Sequence, residues 1–241
     1  MKIDARRNLI VPGNFQQTIE YMCRQIINRG HEAIQARQAF FWAISGGTSP
    51  NRIYAKMGES FQNALEWGKT FLFWSDERFV PQDHPRSNAH SAISSGLKNL
   101  GISKDHIFCM KQSNDPNQDA KKYEEIICNL IPHQQFDIIM LGVGEDGHTA
   151  SLFPETQSLT ISDQSVIAHF IPHLQETRIT FTYSLINKAR SILIFATGDK
   201  KKKIVKEALF HPQKSLPVTC IGTKEHPALW ILDNDAAQDL P

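Results

Sequence analysis

Apolar residues follow two different patterns along the chain. Between Phe15 and Ile34 they recur every three or four positions, which predicts a helix with one buried face. Further along they form short continuous blocks, which predict strands covered on both faces. We predict four such strands, at Ala39–Ser45, Thr70–Ser75, Phe136–Leu141 and Ser191–Thr197.

Helical stretches separate these blocks. We predict helices at Pro50–Asn63, Ser87–Leu97, Gln118–Ile131 and Lys200–Phe210, and further strands at Val166–Ile171, Arg178–Thr182 and Ala228–Leu232. This alternation predicts an α/β fold with an open, mostly parallel sheet and helices on both faces. No repeat or low-complexity tract interrupts it, so we expect a single domain over residues 1–241. Ligands of such sheets bind at the carboxyl ends of the strands, which makes the segments after the strands the candidate site.

The segment after the first buried strand is rich in glycine. It contains Gly46, Gly47, Thr48 and Ser49, followed by Pro50. Two glycines allow a tight turn and a close approach to a ligand. We expect Ser49 to be the N-cap of the next helix and Pro50 its first residue. The free N–H groups and dipole of a helix start favour a phosphate, although an ordinary strand–helix turn is the alternative. No lysine follows the second glycine, which favours a monophosphate over a nucleotide.

Three consecutive charged residues follow the second strand. Asp76, Glu77 and Arg78 lie between the aromatic residues Trp74 and Phe79. Beside a phosphate-binding turn, Arg78 is a candidate to hold the substrate in a bidentate fork. Asp76 is a candidate to orient another group or to accept hydroxyl protons. The alternative is a solvated turn.

The segment after the third strand has the spacing G-x-G-x-x-G, at Gly142, Gly144 and Gly147. We reject a dinucleotide site, because Glu145 and Asp146 would place negative charge beside a pyrophosphate. A proline also follows at position 154, where the helix of a dinucleotide fold would still be running. The segment is therefore predicted to be a glycine-shaped loop that presents polar side chains.

That loop presents His148 and Asp146. Histidine titrates near neutral pH and is the commonest general base in enzymes. A nearby carboxylate fixes the tautomer of the ring and stabilises its protonated form. We therefore predict that His148 is a catalytic base oriented by Asp146.

Two groups of basic residues are further candidates for phosphate binding. Four lysines, Lys200–Lys203, follow the fourth strand, and we expect at least three of them to be solvated. One lysine in the first turn of that helix is placed to reach a phosphate, and Asp199 is the expected N-cap. Arg178, at the start of another strand, is a candidate of the same kind.

Composition excludes several classes of function. The formal net charge is +1, so we expect no nucleic-acid or membrane partner. The four scattered cysteines form no C-x-x-C pair, and we expect them to be free buried thiols in a reducing cytoplasm. No signal peptide or long apolar span is expected. We find no G-x-S-x-G elbow and no metal-ligand spacing, so we expect no serine nucleophile, metal or cofactor.

These segments together resemble the 6-phosphogluconolactonase family over nearly the whole chain. The resemblance is carried by residues 45–50, 75–81 and 141–154 and by Ser87 and Asn88. Further matches are 178–180, the strand of Trp230, and Gly198 with Lys201, the last of which is weak by itself. The long block at 142–154 is the most specific of these. Two positions depart from the family pattern: Ala89 stands where an aromatic residue is often found, and the segment 216–218 differs from the usual small residues.

The resemblance implies a Rossmann-like fold of the type shared with glucosamine-6-phosphate deaminases and ribose-5-phosphate isomerases. It implies a carboxylic ester hydrolase that converts 6-phospho-D-glucono-1,5-lactone to 6-phospho-D-gluconate, the second step of the oxidative pentose phosphate pathway. It also implies roles for single residues. His148 is the catalytic base, and Asp76 and Arg78 are active-site residues. The turn at 46–49, Arg178 and Lys201 hold the phosphate and the sugar of a small-molecule substrate.

Two other functions are alternatives. A glucosamine-6-phosphate deaminase shares the glycine loop and the Asp-Gly-His sequence, but its ring opening is helped by a glutamate five residues after the histidine. Here that position is Phe153. A non-catalytic sugar-phosphate sensor would keep the phosphate turn without needing His148, but the chain shows no helix-turn-helix segment or basic arm. The sequence does not indicate an oligomeric state.

Overall fold

The computed structural model describes residues 3–110, 112–213 and 215–241, and a parallel sheet of seven strands forms its centre. The strands of this sheet are β1 (Arg7–Gly13), β2 (Phe40–Ile44), β3 (Thr70–Trp74), β5 (Ile107–Phe108), β6 (Ile138–Gly142), β9 (Ile192–Ala196) and β10 (Ala228–Asp233). Their order across the sheet is β1-β10-β9-β6-β2-β3-β5. The predicted open, mostly parallel α/β sheet is confirmed, and the four buried strands agree within two residues at each end.

Helices cover both faces of this sheet. The helices are α1 (Phe15–Arg37), α2 (Thr48–Ser60), α3 (Asn88–Ser95), α4 (Pro116–Leu130), α5 (Tyr183–Ile186) and α6 (Lys202–Phe210). Alternate residues of one strand enter different cores: Trp42 of β2 packs with α1, α2 and α3, whereas Ala43 packs with α4 and α6. Because both faces are buried, these strands need continuous apolar sequence, which explains the pattern that predicted them.

Two predicted helix starts are wrong. α2 begins at Thr48, with Gly47 in the N-cap position, so Ser49 is not the cap and Pro50 is not the first residue. The helix starts earlier because Gly47 adopts a φ of +117°, which reverses the chain directly after β2. Asp199 is also not an N-cap; it begins a short 3-10 turn, Asp199–Lys201, that leads into α6.

A second, antiparallel sheet of three strands packs beside the first. It consists of β4 (Asp76–Arg78), β7 (Val166–Ile171) and β8 (Glu176–Phe181), in the order β4-β8-β7. The charged segment after β3 is not the solvated turn that was the alternative interpretation; it is a strand, paired with β8 from Asp76↔Thr180 to Arg78↔Arg178. Three charged residues in a row carry no strand pattern, so the pairing depends on the partner strand. Sequence patterns also gave no prediction of β1 and β5.

The chain reverses its direction across the large sheet between β2 and β6. From β2 it proceeds through β3 to β5 at one edge, and then returns to β6 on the other side of β2. The loops after β2 and β6 therefore diverge and leave a crevice at their carboxyl ends, which is where such sheets bind ligands.

Within the described residues, no helix is both long and apolar enough to cross a membrane. All four cysteines are free thiols, as expected. Only Cys23 is buried, however; Cys128 is exposed and the other two are half-buried, so the expectation of four buried thiols is wrong.

Candidate active site

A cleft of about 340 Å³ lies at the carboxyl ends of β2, β6 and β9. Its wall includes residues from both sheets: Ser45, Gly46, Gly47, Thr48, Ser49, Asp76, Arg78, Asn88, Gly142, Val143, Gly144, His148, Ala150, Arg178, Phe195, Ala196, Thr197 and Lys201. The cleft thus brings together segments that are more than 100 residues apart in the sequence.

The floor on one side is the turn after β2 and the first residues of α2. Gly47, with its φ of +117°, aims the start of α2 at the cleft. The first N–H groups of a helix have no partner within the helix and carry the positive end of its dipole. The hydroxyl of Thr197, from the segment after β9, donates to the hydroxyl of Ser49 at 3.0 Å. This corner of the cleft is suited to a phosphate group.

His148 lies in the loop after β6. Its Nδ1 lies 2.5 Å from Oδ1 of Asp146, and about a third of its side chain is exposed. Burial raises the pKa of Asp146, but its hydrogen bond with His148 and the charge of that ring outweigh burial and leave the pKa below the usual value. When the ring is neutral, a hydrogen on Nδ1 is donated to this carboxylate, which only accepts, and Nε2 then keeps a free lone pair.

The backbone of the same loop fits closely around this pair. A Cβ at Gly144 would overlap Nδ1 of His148 and Oδ1 of Asp146, so only glycine fits there. On its other side the His148 ring stacks on the buried ring of Phe153, with centroids 4.2 Å apart and planes inclined by 25°. The imidazole is therefore held in one orientation by a carboxylate, a glycine and an aromatic ring.

The antiparallel sheet contributes two arginines to the cleft. Arg78 and Arg178 are directly opposite each other in the β4–β8 register. Burial lowers the pKa of both guanidinium groups, and the charge of Asp76 opposes that effect. Like charges opposite each other on a sheet are unfavourable, and an anion bound between them would relieve this repulsion.

Each arginine is held by a different neighbour. Arg178 donates through Nε and Nη2 to Oε2 of Glu176, at 3.0 and 2.8 Å. Arg78 donates through Nη1 to the carbonyl of Arg86 at 2.7 Å, and its buried Nε has no partner among the described residues. Lys201 adds a third cation to the wall, and burial lowers the pKa of its amino group.

Glu77 points away from the cleft, unlike its neighbours Asp76 and Arg78. The residue is 1% exposed, and its carboxylate accepts hydrogen bonds from the N–H groups of Arg78, Asn88 and Ala89 and from the hydroxyl of Ser87, all at 2.7–3.0 Å. Burial raises the pKa of Glu77 and these hydrogen bonds oppose the rise. The carboxylate thus connects β4 to the start of α3 and keeps Asn88 at the wall of the cleft.

The structure brings together the residues predicted from the sequence. Nine of them line the cleft: Gly46, Gly47, Thr48, Ser49, Asp76, Arg78, His148, Arg178 and Lys201. Asp146 is not part of the cleft wall but contacts His148 from behind. Of the four lysines at 200–203, Lys201 is the one in the wall. The chemical roles of these residues stay predictions.

Sequence reasoning missed several wall residues. Ser45, Asn88 and Thr197 were assigned no role, and Ser151, just behind the wall, was not singled out. Asn88 and Ser151 lie inside segments that carried the family resemblance, which was the one available signal. The described residues contain no group of three or more His, Cys, Asp or Glu side chains that could hold a metal ion.

An open parallel sheet with a cleft at its switch point is typical of α/β proteins that bind small molecules. A family model described as glucosamine-6-phosphate isomerases/6-phosphogluconolactonase matches residues 14–230, and the chain belongs to this family. The 6-phosphogluconolactonase of Chlamydia pneumoniae is 36% identical over 221 residues, covering 90% of this chain and 84% of that protein. The 6-phosphogluconolactonase of Chlamydia trachomatis is 34% identical, covering 98% and 91%.

A solved structure gives the same result. The 6-phosphogluconolactonase from Trypanosoma brucei superposes with a TM-score of 0.87 at 25% identity, and all of both chains is covered. The predicted membership of this family and the predicted fold are confirmed.

Proposed function

We propose that this protein is a 6-phosphogluconolactonase, which hydrolyses 6-phospho-D-glucono-1,5-lactone to 6-phospho-D-gluconate in the oxidative pentose phosphate pathway of the cytoplasm. One observation carries the proposal. An oriented histidine base, His148, shares a cleft of about 340 Å³ with a helix start and three cationic side chains. A phosphorylated lactone needs the cations and the helix start to bind its phosphate, and the histidine to activate water at its ester. The relatives described above are named for this activity.

Substrate binding begins with the phosphate. The N-terminus of α2 and the side chains of Thr48 and Ser49 supply hydrogen-bond donors, while Arg178 and Lys201 supply positive charge. Because the phosphate is remote from the reacting carbonyl, its binding energy orients the lactone ring without taking part in the chemistry. Asp76, at the opposite wall, accepts a hydrogen bond from a ring hydroxyl.

Hydrolysis then proceeds through a tetrahedral intermediate. Nε2 of His148 takes a proton from a water molecule while the water oxygen forms a bond to C1 of the lactone. The bond between C1 and the ring oxygen of the lactone breaks next, and the protonated imidazole of His148 gives its proton to that oxygen. One water is consumed and one carboxylic acid is formed. Base catalysis of this kind contributes roughly 10²–10⁴-fold to the rate.

The intermediate carries negative charge on the former carbonyl oxygen. Preorganised donors at the point where that charge develops are usually the largest single contribution to catalysis. The cleft offers two sets of donors, the guanidinium of Arg78 and the N–H groups of Gly46 and Gly47; those of Gly144 and Gly147 already donate to main-chain carbonyls. Both are held in place before the substrate binds, and neither involves a metal or a cofactor.

Phe153 argues against the deaminase alternative. A ring-opening deaminase needs an acid beside the histidine, and in this chain that position holds a buried aromatic ring stacked on His148. The phenyl ring has no proton to transfer. It does shield one face of the imidazole from water, which suits a base that acts on a single bound water.

A direct assay tests the proposal. Freshly prepared 6-phosphogluconolactone is mixed with the protein, and hydrolysis is measured above a protein-free blank, with and without a chelator. We expect enzymatic hydrolysis that the chelator does not change. In His148→Ala we expect turnover to fall by roughly 10²–10⁴-fold, while binding of 6-phosphogluconate, measured by calorimetry, persists.

The matched control is His31→Ala, a change at an exposed histidine of α1. Activity of His148→Ala equal to that of this control would reject His148 as the base. Binding of 6-phosphogluconate without any lactone hydrolysis by the unaltered protein would favour a sensor, and release of ammonia from glucosamine 6-phosphate would favour a deaminase.

A further inference from the structure

Ser151 is a buried residue that joins the histidine loop to the antiparallel sheet. Its hydroxyl donates to Oδ2 of Asp76 at 2.7 Å, and its N–H donates to the hydroxyl of Thr180 at 3.1 Å. Its carbonyl accepts from Nε2 of His169 at 2.7 Å. Every polar group of this fully buried residue therefore has a partner, and each partner belongs to the antiparallel sheet.

The backbone before Ser151 adopts an uncommon conformation. Ala150 has a φ of +47°, in the left-handed region that residues with a Cβ seldom occupy. The chain turns tightly there, and the N–H of Leu152 donates back to the carbonyl of Thr149 at 2.9 Å. Strained backbone of this kind persists where surrounding contacts impose it, and it is common at functional sites. Here it directs Ser151 towards Asp76, three residues after His148.

Asp76 is close to two cations but pairs with neither. Its charge opposes the burial effect on the pKa of both Arg78 and Arg178. Among the ion pairs of the described residues, however, none joins Asp76 to either arginine within 4.0 Å. Its Oδ2 is bound to Ser151, and no described residue donates a hydrogen bond to Oδ1, although Asp76 lines the cleft. A carboxylate near two guanidinium groups is attracted to both, and a hydrogen bond from another residue opposes its movement towards either.

We propose that Ser151 is a positioning residue for the lactonase reaction, which holds the Asp76 carboxylate apart from Arg78 and Arg178. Oδ1 of Asp76 then stays available for a substrate hydroxyl, and Asp76 does not occupy the donors of either guanidinium group that remain for the substrate's negative charges. The inference rests on the proposed function, because it assigns Ser151 a part in that reaction.

A double-mutant cycle tests this role. Ser151→Ala removes the donor, so Asp76 pairs with an arginine and both groups are lost to the substrate. We expect kcat/KM to fall by about ten-fold, the usual effect of a lost hydrogen bond to a charged group. In Asp76→Asn the neutral amide is not drawn to the arginines. The same serine change in that background is therefore expected to cost less than about two-fold, since residues that act through each other are not additive.

Two further variants separate the hydroxyl from packing. Thr and Val have the same shape, so Ser151→Thr and Ser151→Val impose the same strain and differ in the hydroxyl. We expect the threonine variant to be faster by about ten-fold. The control is Ser158→Ala, which removes another buried hydroxyl, bonded to Thr156 at 2.7 Å and outside the cleft wall. It is expected to keep the activity of the unaltered protein.

Three results would overturn the proposal: Ser151→Ala within two-fold of the unaltered enzyme, equal losses in both Asp76 backgrounds, or equal rates of the threonine and valine variants. If the unaltered protein does not hydrolyse the lactone, it is the proposed function that fails. The same cycle, measured as affinity for 6-phosphogluconate, then decides the role of Ser151, and equal losses in both backgrounds refute it.

Discussion

The two sheets contribute different kinds of group to the cleft. The parallel sheet supplies main-chain turns: the start of α2 after β2, and the glycine loop that holds His148 after β6. The antiparallel sheet supplies charged side chains, Asp76, Arg78 and Arg178. The turns are placed by backbone geometry, with the contact to Asp146 fixing the His148 ring, whereas the charged groups keep their positions through side-chain hydrogen bonds between distant segments. Changes in the His148 loop should therefore affect turnover, whereas in the antiparallel sheet a change at Arg178 should affect binding and a change at Glu77 should affect stability.

The largest effect is expected from the glycine loop. In Gly144→Ala the new Cβ overlaps the His148–Asp146 pair and displaces the ring. A displacement of about 1 Å at a reacting group costs about 10²-fold, so we expect kcat to fall by that factor while KM changes little. Steady-state kinetics measure both. Gly68→Ala, where a Cβ meets nothing within 4 Å, is the control. A KM effect larger than the kcat effect would contradict the assignment of this loop to the chemical step.

The second effect concerns stability. Glu77→Gln replaces a carboxylate that accepts four hydrogen bonds by an amide that turns an N–H₂ group towards the donors. Leaving a buried donor unsatisfied costs about 1–3 kcal/mol of unfolding free energy. Denaturant unfolding measures this loss. Glu66→Gln, at a surface ion pair with Lys69, should lose less than about 1 kcal/mol. Equal losses in the two variants would show that Glu77 does not anchor β4 to α3.

The third effect concerns substrate binding by the antiparallel sheet. Arg178→Gln removes a cation from the antiparallel sheet and leaves the His148 loop intact. We expect KM to rise by about ten-fold, the effect of a lost hydrogen bond between charged groups, with kcat nearly unchanged. Arg24→Gln, an exposed arginine of α1, serves as the control. A fall in kcat with constant KM would instead assign Arg178 to the chemical step.

The smallest effect is a pH dependence. Burial lowers the pKa of Lys201, although the charges of Glu145 and Asp146 oppose it. The charged amine therefore supports phosphate binding fully below this lowered pKa, and that support is lost as pH rises through it. We expect the affinity for 6-phosphogluconate to weaken a few-fold between about pH 7 and 10, the range that approaches the ordinary lysine pKa. The side chain introduced in Lys201→Arg stays protonated over this range, so the affinity of this variant, measured by calorimetry, should not change with pH. If the affinities of the variant and the unaltered protein fall in parallel, Lys201 does not bind the phosphate.

The fold was predictable where burial alone determines local structure. β2, β3, β6 and β9 are apolar on both faces, because helices cover the whole of the parallel sheet, and no partner strand needs to be known to recognise them. The loop with His148 was predictable for a similar reason, since closely spaced glycines around an Asp-Gly-His sequence indicate a shaped turn within one short segment. The first residues of helices were harder to predict. Ser49 is a residue type that favours the N-cap, yet Gly47 turns the chain two residues earlier.

Contacts between distant segments could not be predicted from local sequence patterns. Asp76 and Ser151 are 75 positions apart, and nothing near either residue indicates that they meet. The charged segment at 76–78 is a strand only because β8 pairs with it, and the same pairing turns Asp76 and Arg78 to the cleft and Glu77 away from it. Residue type and spacing thus determined which reactive and charged side chains the chain carries and which of its strands are buried. The packing of the small sheet against the large one decided which of those groups face each other, because that choice depends on register and on hydrogen bonds between residues far apart in the chain.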